Sequence, residues 1–383
     1  MSALLIYGDT ERSAALRHEV PVAIGDPFLF VQTDGAAPLI VTNPLEHERI
    51  ARALPDAELV LMNDLGYLDM IRKGMARPKA ELVVVVRAVA RVGVREFAVP
   101  PELPVVVADR LRADGVTLTV DGDLFEARRR AKSPAELEGI RRAQRAAEAA
   151  MAAAAAVLRA ASPVDGRLVS RVDGSPVTSE QVRAAAREAA AAAGAPAPAD
   201  IMVTSVSSSG GHDPGSGPLP ADLPVVVDLW PRDEQTGCWA DMTRTFVRGA
   251  ISEEVALLRD VVRDAIERVR AATRPGVTGL ELYEIAASVV EEAGYPTQRT
   301  AAPGESLMQG FYFSLGHGVG LELHEEPGLG LSGTSPLVPG DVIAVEPGIE
   351  GLPGLGGVRY EDLLLVTESG CETLTDYPYE LEP

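Results

Sequence analysis

Cysteine is nearly missing from this chain: two among 383 residues, Cys238 and Cys371, with no paired spacing. That excludes a disulfide framework and a thiolate zinc site, and it fits a reducing compartment. Positive charge is also short. Thirty-five Lys and Arg face 56 Asp and Glu, a formal net charge of −21. Such a surface repels polyanions, so neither nucleic acid nor an anionic membrane is an expected partner. Long apolar runs are absent. The longest, Ala149–Leu158, is half of what a bilayer span requires. Asp9 and Glu11 stand near the start without a basic segment leading into an apolar stretch, so no secretory leader is expected. These absences together predict a soluble cytoplasmic protein. Histidine is scarce too, with five in all, and that makes its placement informative.

Apolar residues are plentiful, at 46 %, and the length exceeds what one ordinary core accommodates, so two domains are expected. Residues 1–131 read as an α/β domain, with strand-like runs at Phe28–Gln32, Pro38–Thr42, Leu59–Met62, Glu96–Val99 and Val116–Val120. Thr33-Asp34-Gly35 suits a hairpin turn. His18 and His47 lie in polar, charged surroundings and read as surface residues. The boundary follows at Arg128–Lys132. Ser133-Pro134-Ala135-Glu136 then opens a long helix with a capping box and a proline at its first position, and the Ala-rich stretch carries that helix to about Ala161.

The second domain, 132–383, contains an internal repeat. Val177–Pro196 and Val277–Pro296 share Val-Thr at the start and Ala-Gly-x-Pro at the end. Each Thr suits a helix N-cap, and Gly194 and Gly294 suit the helix ends. A long helical segment precedes each, the second being Ser252–Thr273. A duplicated helix–helix–sheet unit is expected, giving a pseudo-twofold domain around a curved antiparallel sheet.

After each repeat, acids appear where acids are costly. Leu223–Asp228 is an apolar strand ending in a carboxylate, and Asp241 opens the next strand. Val342–Glu346 is again apolar with a carboxylate, and Glu361 follows in Gly357-Val-Arg-Tyr-Glu-Asp362. Four carboxylates gathered in a sheet repel one another and lose hydration. Protonation, basic partners or metal cations relieve this. With His317, in Ser314-Leu-Gly-His317-Gly-Val-Gly, they form an oxygen-rich set suited to Mn, Co, Zn or Fe(II), two ions sharing bridging carboxylates. His212 lies in the glycine-rich loop 209–217 and His324 lies seven residues after His317. Loop positions beside a rigid sheet are where donors to a developing oxyanion are placed.

These residues resemble the creatinase/aminopeptidase P/prolidase branch of the pita-bread metallopeptidases over nearly the whole chain. The resemblance rests on Lys132-Ser-Pro-Ala-Glu-Leu-Glu-Gly-Ile140, on His-Gly-x-Gly-Leu-x-x-His-Glu-x-Pro from His317, on x-Glu346-Pro-Gly, and on Gly357-Val-Arg-x-Glu-Asp362. It implies an α+β protein, with a creatinase-type N-terminal domain before a pita-bread catalytic domain. It implies that Asp228 chelates the first metal, that His317 and Glu346 hold the second, and that Asp241 and Glu361 bridge both. It further implies that His212 and His324 contact the scissile carbonyl, and that Glu346 shuttles a proton. Arg359 resembles the prolidase arginine that reaches the substrate's terminal carboxylate, although it would equally balance the acidic cluster. The expected reaction is hydrolysis of Xaa-Pro dipeptides by a hydroxide bridging two divalent ions, manganese first with cobalt or zinc as alternatives, in a homodimer. An aminopeptidase acting on longer peptides and a catalytically silent peptide-binding module are the alternatives. Three features depart from the family pattern: the thirteen-residue spacing of Asp228 and Asp241, Phe313 four residues before His317, and a loop around His212 without the frequent Asn-rich pattern. They bear on specificity and leave the ligand set complete.

Overall fold

The computed structural model describes residues 3–206 and 212–383. It divides into two compact units, Met1–Arg129 and Arg130–Pro383. The first carries a mixed six-stranded sheet, ordered Glu58–Leu61, Leu39–Thr42, Phe28–Gln32, Ala3–Gly8, Glu96–Val99, Thr117–Val120. Its inner strand Ala3–Gly8, which the sequence reading passed over, pairs antiparallel with Phe28–Gln32 and parallel with Glu96–Val99. Leu4, Leu5 and Ile6 are all buried, the mark of a strand covered on both faces. Helix Arg77–Val92 buries Ala80, Val84, Val85, Ala88 and Val89, one stripe at helical spacing. Thr33-Asp34-Gly35 does lie between two antiparallel strands, but in a wider loop that runs from Gln32 to Leu39. His18 and His47 are half-buried rather than on the surface. Both sit in helices whose inner faces pack on this unit's core.

The second unit is built twice over. Helix Pro134–Ala160 starts on the expected capping box, Glu136 N–H donating to Ser133 Oγ at 3.2 Å and Ser133 N–H donating to Glu136 Oε2 at 2.7 Å. Its alanine face (Ala147, Ala150, Ala154) packs with Val182, Ala186 and Ala190 of helix Ser179–Ala192. Small side chains let the two helices approach closely. Helices Glu253–Ala272 and Gly279–Glu292 repeat the arrangement. Thr178 and Thr278 both form capping boxes, with Gln181 and Glu281. Gly194 and Gly294, at φ 81° and 90°, take the left-handed conformation that ends a helix.

Each helix pair covers a sheet. The first sheet is ordered Met242–Val247, Pro224–Leu229, Met202–Thr204. The second is ordered Glu325–Leu329, Gly316–Gly318, Val342–Val345, Asp362–Val366, Cys371–Thr373. Strand alternation sorts the side chains. Val225, Val227, Leu229, Met242 and Phe246 enter the first helical core. Ile343, Val345, Leu364 and Val366 enter the second. The intervening parity puts Asp228, Asp241, Glu346 and Glu361 on the face away from the helices. Thr245 Oγ1 joins the two halves, donating to Arg359 O at 2.9 Å and accepting from Arg359 N–H at 3.0 Å.

Candidate metal centre

Only Asp228 lies within a strand, opposite Thr243. Asp241, Glu346 and Glu361 each stand one residue beyond a strand end, next to Met242, Val345 and Asp362. That position frees the carboxylate to turn inward while the strand fixes its Cα. The four acids, His212, His317, His324 and Arg359 line one cavity of about 300 Å3 together with Asp200, Trp230 and Leu323. Every candidate site residue therefore reaches the same space. His212 sits exposed at its margin. The first residues of its glycine-rich loop, 209–211, lie outside the described residues.

The cavity is negatively charged, and three of its acids are shielded from solvent. Asp228, Asp241 and Glu361 are 7 %, 5 % and 1 % exposed. Burial, and then the charges of Asp228 and Glu346, hold the Asp241 carboxyl well above the usual carboxylate range. Burial also raises Glu361, with Asp241 and Glu346 adding to it. Glu346 is pushed up to about 8 by burial, with Asp228 and Glu350 adding to it against the opposing Arg359. Loss of hydration disfavours the ionised form in each case, and a like charge nearby compounds it.

His317 has the opposite bias. Burial, and then His324, lower it to about 4, so its ring is neutral at physiological pH. Its Nδ1 lies 3.0 Å from Gly318 O. A carbonyl only accepts, so Nδ1 carries the proton and Nε2 presents a lone pair. Nε2 is 3.7 Å from both Asp241 Oδ2 and Glu346 Oε1. The His324 ring stands edge-on to His317 at 4.2 Å between centroids.

Arg359 is the cation inside this set. It bonds to Asp228 Oδ2, and its Nη1 lies 3.8 Å from Glu346 Oε2. Phe313, one of the departures, stacks beneath the guanidinium at 5.8 Å. The longer connection between Asp228 and Asp241 is tied down outside the cavity. Asp233 is held by both Arg142 Nε and Nη2 at 2.9 Å and by Thr236 Oγ1 at 2.7 Å.

The donor set fits divalent cations. Asp228, Asp241 and Glu361 each offer an oxygen, all within 4.8 Å of one another. The same holds for His317, Glu346 and Glu361, and for Asp241, His317 and His324. Asp228 Oδ1 and Glu361 Oε1 are buried without a hydrogen-bond partner. A native fold rarely tolerates an orphaned buried acceptor, and two of them aimed at one space are what a cation satisfies.

Sequence reasoning missed the supports of this centre. Arg244 is fully buried, with Nη1 donating to Thr243 O at 2.9 Å and Glu361 O at 2.8 Å, and Nη2 donating to Asp362 Oδ1 at 2.9 Å. It clamps the strands beside Asp241 and Glu361. Lys132 and Glu325 form a pair almost wholly withdrawn from solvent, next to His324. The signal for Arg244 was present, since a charge inside an apolar strand needs a partner. Apart from the neighbouring Thr243, its partners stand more than a hundred residues away.

Residues 138–368, more than half of the chain, match the model of metallopeptidase family M24. The chain belongs to that family. Among relatives, it is 40 % identical over 159 residues to an Xaa-Pro dipeptidase of Pyrococcus furiosus, and the match spans 41 % of each chain. Thus the aligned stretch covers about two-fifths of that relative. Solved structures match over far more. A prolidase from Pyrococcus horikoshii superposes with a TM-score of 0.74 at 25 % identity, covering 100 % of this chain and 95 % of that one. The dipeptidase PepE from Mycobacterium ulcerans gives 0.73 at 26 %, covering 100 % and 92 %. The architecture is the pita-bread fold, in an α+β protein.

Proposed function

We propose that this protein is a dinuclear-metal peptidase that cleaves the bond preceding proline, with Xaa-Pro dipeptides as its first substrates. One observation carries the reading: four carboxylates, three of them buried, and a histidine converge on one cavity, with two carboxylate oxygens left unpartnered. The names of the relatives agree with it.

In this reading residues 132–383 are the catalytic domain and 1–131 the creatinase-type domain. Asp228 would hold one cation, His317 and Glu346 the other, and Asp241 and Glu361 would be shared between them. Manganese is the first candidate, cobalt and zinc the next. Bound there, the two cations supply Lewis acidity and a water that ionises near neutral pH. The chain's own groups do the rest. His324, held below its ordinary value by partial burial and by His212, is a neutral ring that donates an N–H to the scissile carbonyl, with His212 beside it. Glu346 accepts the proton of the attacking water on a carboxylate oxygen and passes it to the proline nitrogen. Arg359 reaches the free carboxylate of a dipeptide. The acidic chain acts as a homodimer in the cytoplasm.

An aminopeptidase on longer peptides is the second reading, favoured by a larger cavity of about 560 Å3 on the far side of Arg359. The test loads the protein with Mn²⁺, Co²⁺ or Zn²⁺, measures bound metal, and follows hydrolysis of Ala-Pro and Ala-Pro-Ala. The expected outcome is two ions per chain and faster turnover of Ala-Pro. Faster turnover of the tripeptide reverses the order of the two readings. No hydrolysis of either peptide makes the protein a silent binding module. Asp241→Ala and Glu361→Ala are expected to lower metal stoichiometry and turnover together, and near-normal turnover in either removes the bridging assignment.

A further inference from the structure

The larger cavity has a structure of its own. Pro224 and Val226 share the strand face of Asp228, so the floor runs outward from the acidic centre along one strand. Met202 and Thr204 extend it, paired in register with Asp228 and Val226. Met308 and Leu352 supply further apolar wall. Arg359 borders both this cavity and the acidic one. Among the described residues that line the larger cavity, Glu350 is the sole carboxylate.

Glu350 Oε1 lies 3.7 Å from Arg359 Nε, and that Nε–H is buried without a hydrogen-bond partner. The guanidinium is thus shared by three carboxylates. Asp228 and Glu346 face the acidic cavity, and Glu350 faces the other. Once the first two are engaged by cations, Glu350 is the anion left to Arg359. An incoming α-carboxylate must then compete with Glu350 for the same N–H donors, since both are planar acceptors of that fork. A peptide that continues past this point presents a neutral amide there, and its next residue meets Met202, Val226 and Met308.

We propose that Glu350 is a specificity-determining residue: by holding Arg359, it weakens selection for a free terminal carboxylate and admits longer peptides into the adjoining cavity. The proposal rests on the Xaa-Pro reading for the identity of the substrate. It does not rest on it for the competition itself.

The experiment compares wild type with Glu350→Gln, which keeps the side-chain shape and the backbone pairing of Glu350 with Gly310. The kcat/KM ratio for Ala-Pro over Ala-Pro-amide is expected to rise roughly tenfold, mainly through KM, because the charge that competes for the Arg359 fork is removed. In an Arg359→Ala background the same change is expected to leave the ratio unmoved. An unchanged ratio in the single variant overturns the proposal, as does the same rise in the absence of Arg359. A second arm titrates the metal-loaded proteins with L-proline and L-prolinamide by calorimetry. If no proline peptide is cleaved, the proposed activity fails, and this arm alone decides. A gain for L-proline over L-prolinamide in Glu350→Gln supports the competition, and no gain overturns it.

Discussion

One hydroxyl reaches across the two halves of the metal centre to a carboxylate. Thr243 Oγ1 donates to Glu361 Oε2 at 2.9 Å, and Glu361 N–H returns a bond to Thr243 O at 3.1 Å. The Glu361 carboxylate is thereby aimed by a residue from the other repeat. Thr243→Val keeps the shape and removes the donor, so metal affinity is expected to fall about 10- to 100-fold, as when outer partners of metal ligands are lost. A chelator-competition titration reads this, and an unchanged affinity denies Thr243 any aiming role. Arg244 works on the backbone of the same strands. Its five donor contacts and the Tyr379 ring at 4.7 Å leave it no slack. Arg244→Met removes the counter-charge of the buried Asp362 carboxylate and leaves it the Tyr379 hydroxyl, so a loss of about 3 to 5 kcal/mol is expected in urea unfolding. A loss under about 1 kcal/mol would mean that the Tyr379 hydroxyl suffices for Asp362. At this scale the gathering of the acids was legible, because an acid in an apolar strand calls for a counter-charge. The position of Arg359 between carboxylates was not, since Glu350 meets it across the antiparallel strands Gly348–Leu352 and Gly356–Arg359.

Elements were legible where their ends carry chemistry. Ser133, Thr178, Ser252 and Thr278 all accept from the N–H three residues on, as the residue types foretell. Strand ends carry no such mark, which is why three of the four acids fell just outside the strands expected to bear them. The strand Ala3–Gly8 lacks alternation, because both its faces are covered. The matched caps make the repeat testable. Thr178→Ala and Thr278→Ala should each cost about 1 kcal/mol, and their double variant about the sum, since distant caps act independently. Gly279 is a sharper case. A Cβ there would stand 2.0 Å from Gly328 O and 2.9 Å from Leu329 Cα, so backbone must move. Gly279→Ala should therefore destabilise more than the loss of either cap, although alanine is the better helix former. Urea midpoints order the three, and a milder Gly279→Ala would show that the helix start yields easily.

For the whole molecule, the titrating groups of the centre couple metal to stability. Asp241, Glu346 and Glu361 are all raised, so the metal-stripped fold binds protons that the unfolded chain has already released. Stability from these groups is complete below the ordinary carboxylate range and is lost as pH rises, for Glu346 through about 8. His317 runs the other way. Lowered from 6.5 to about 4, it withholds a proton that the unfolded chain binds, so its contribution is lost as pH falls below 6.5. The two trends oppose each other below pH 6.5, and above it the carboxyls act alone. The stripped protein should therefore lose thermal stability from pH 6.5 to 8. Cations reverse the sign, because they require the ionised carboxylates and add stability in proportion to their binding. The rise in Tm on adding Mn²⁺ to chelator-treated protein should accordingly be larger at pH 8 than at pH 6.5. Equal shifts at the two values would mean that the metal does not displace protons from these acids, and that the buried carboxylates are held by something other than cations.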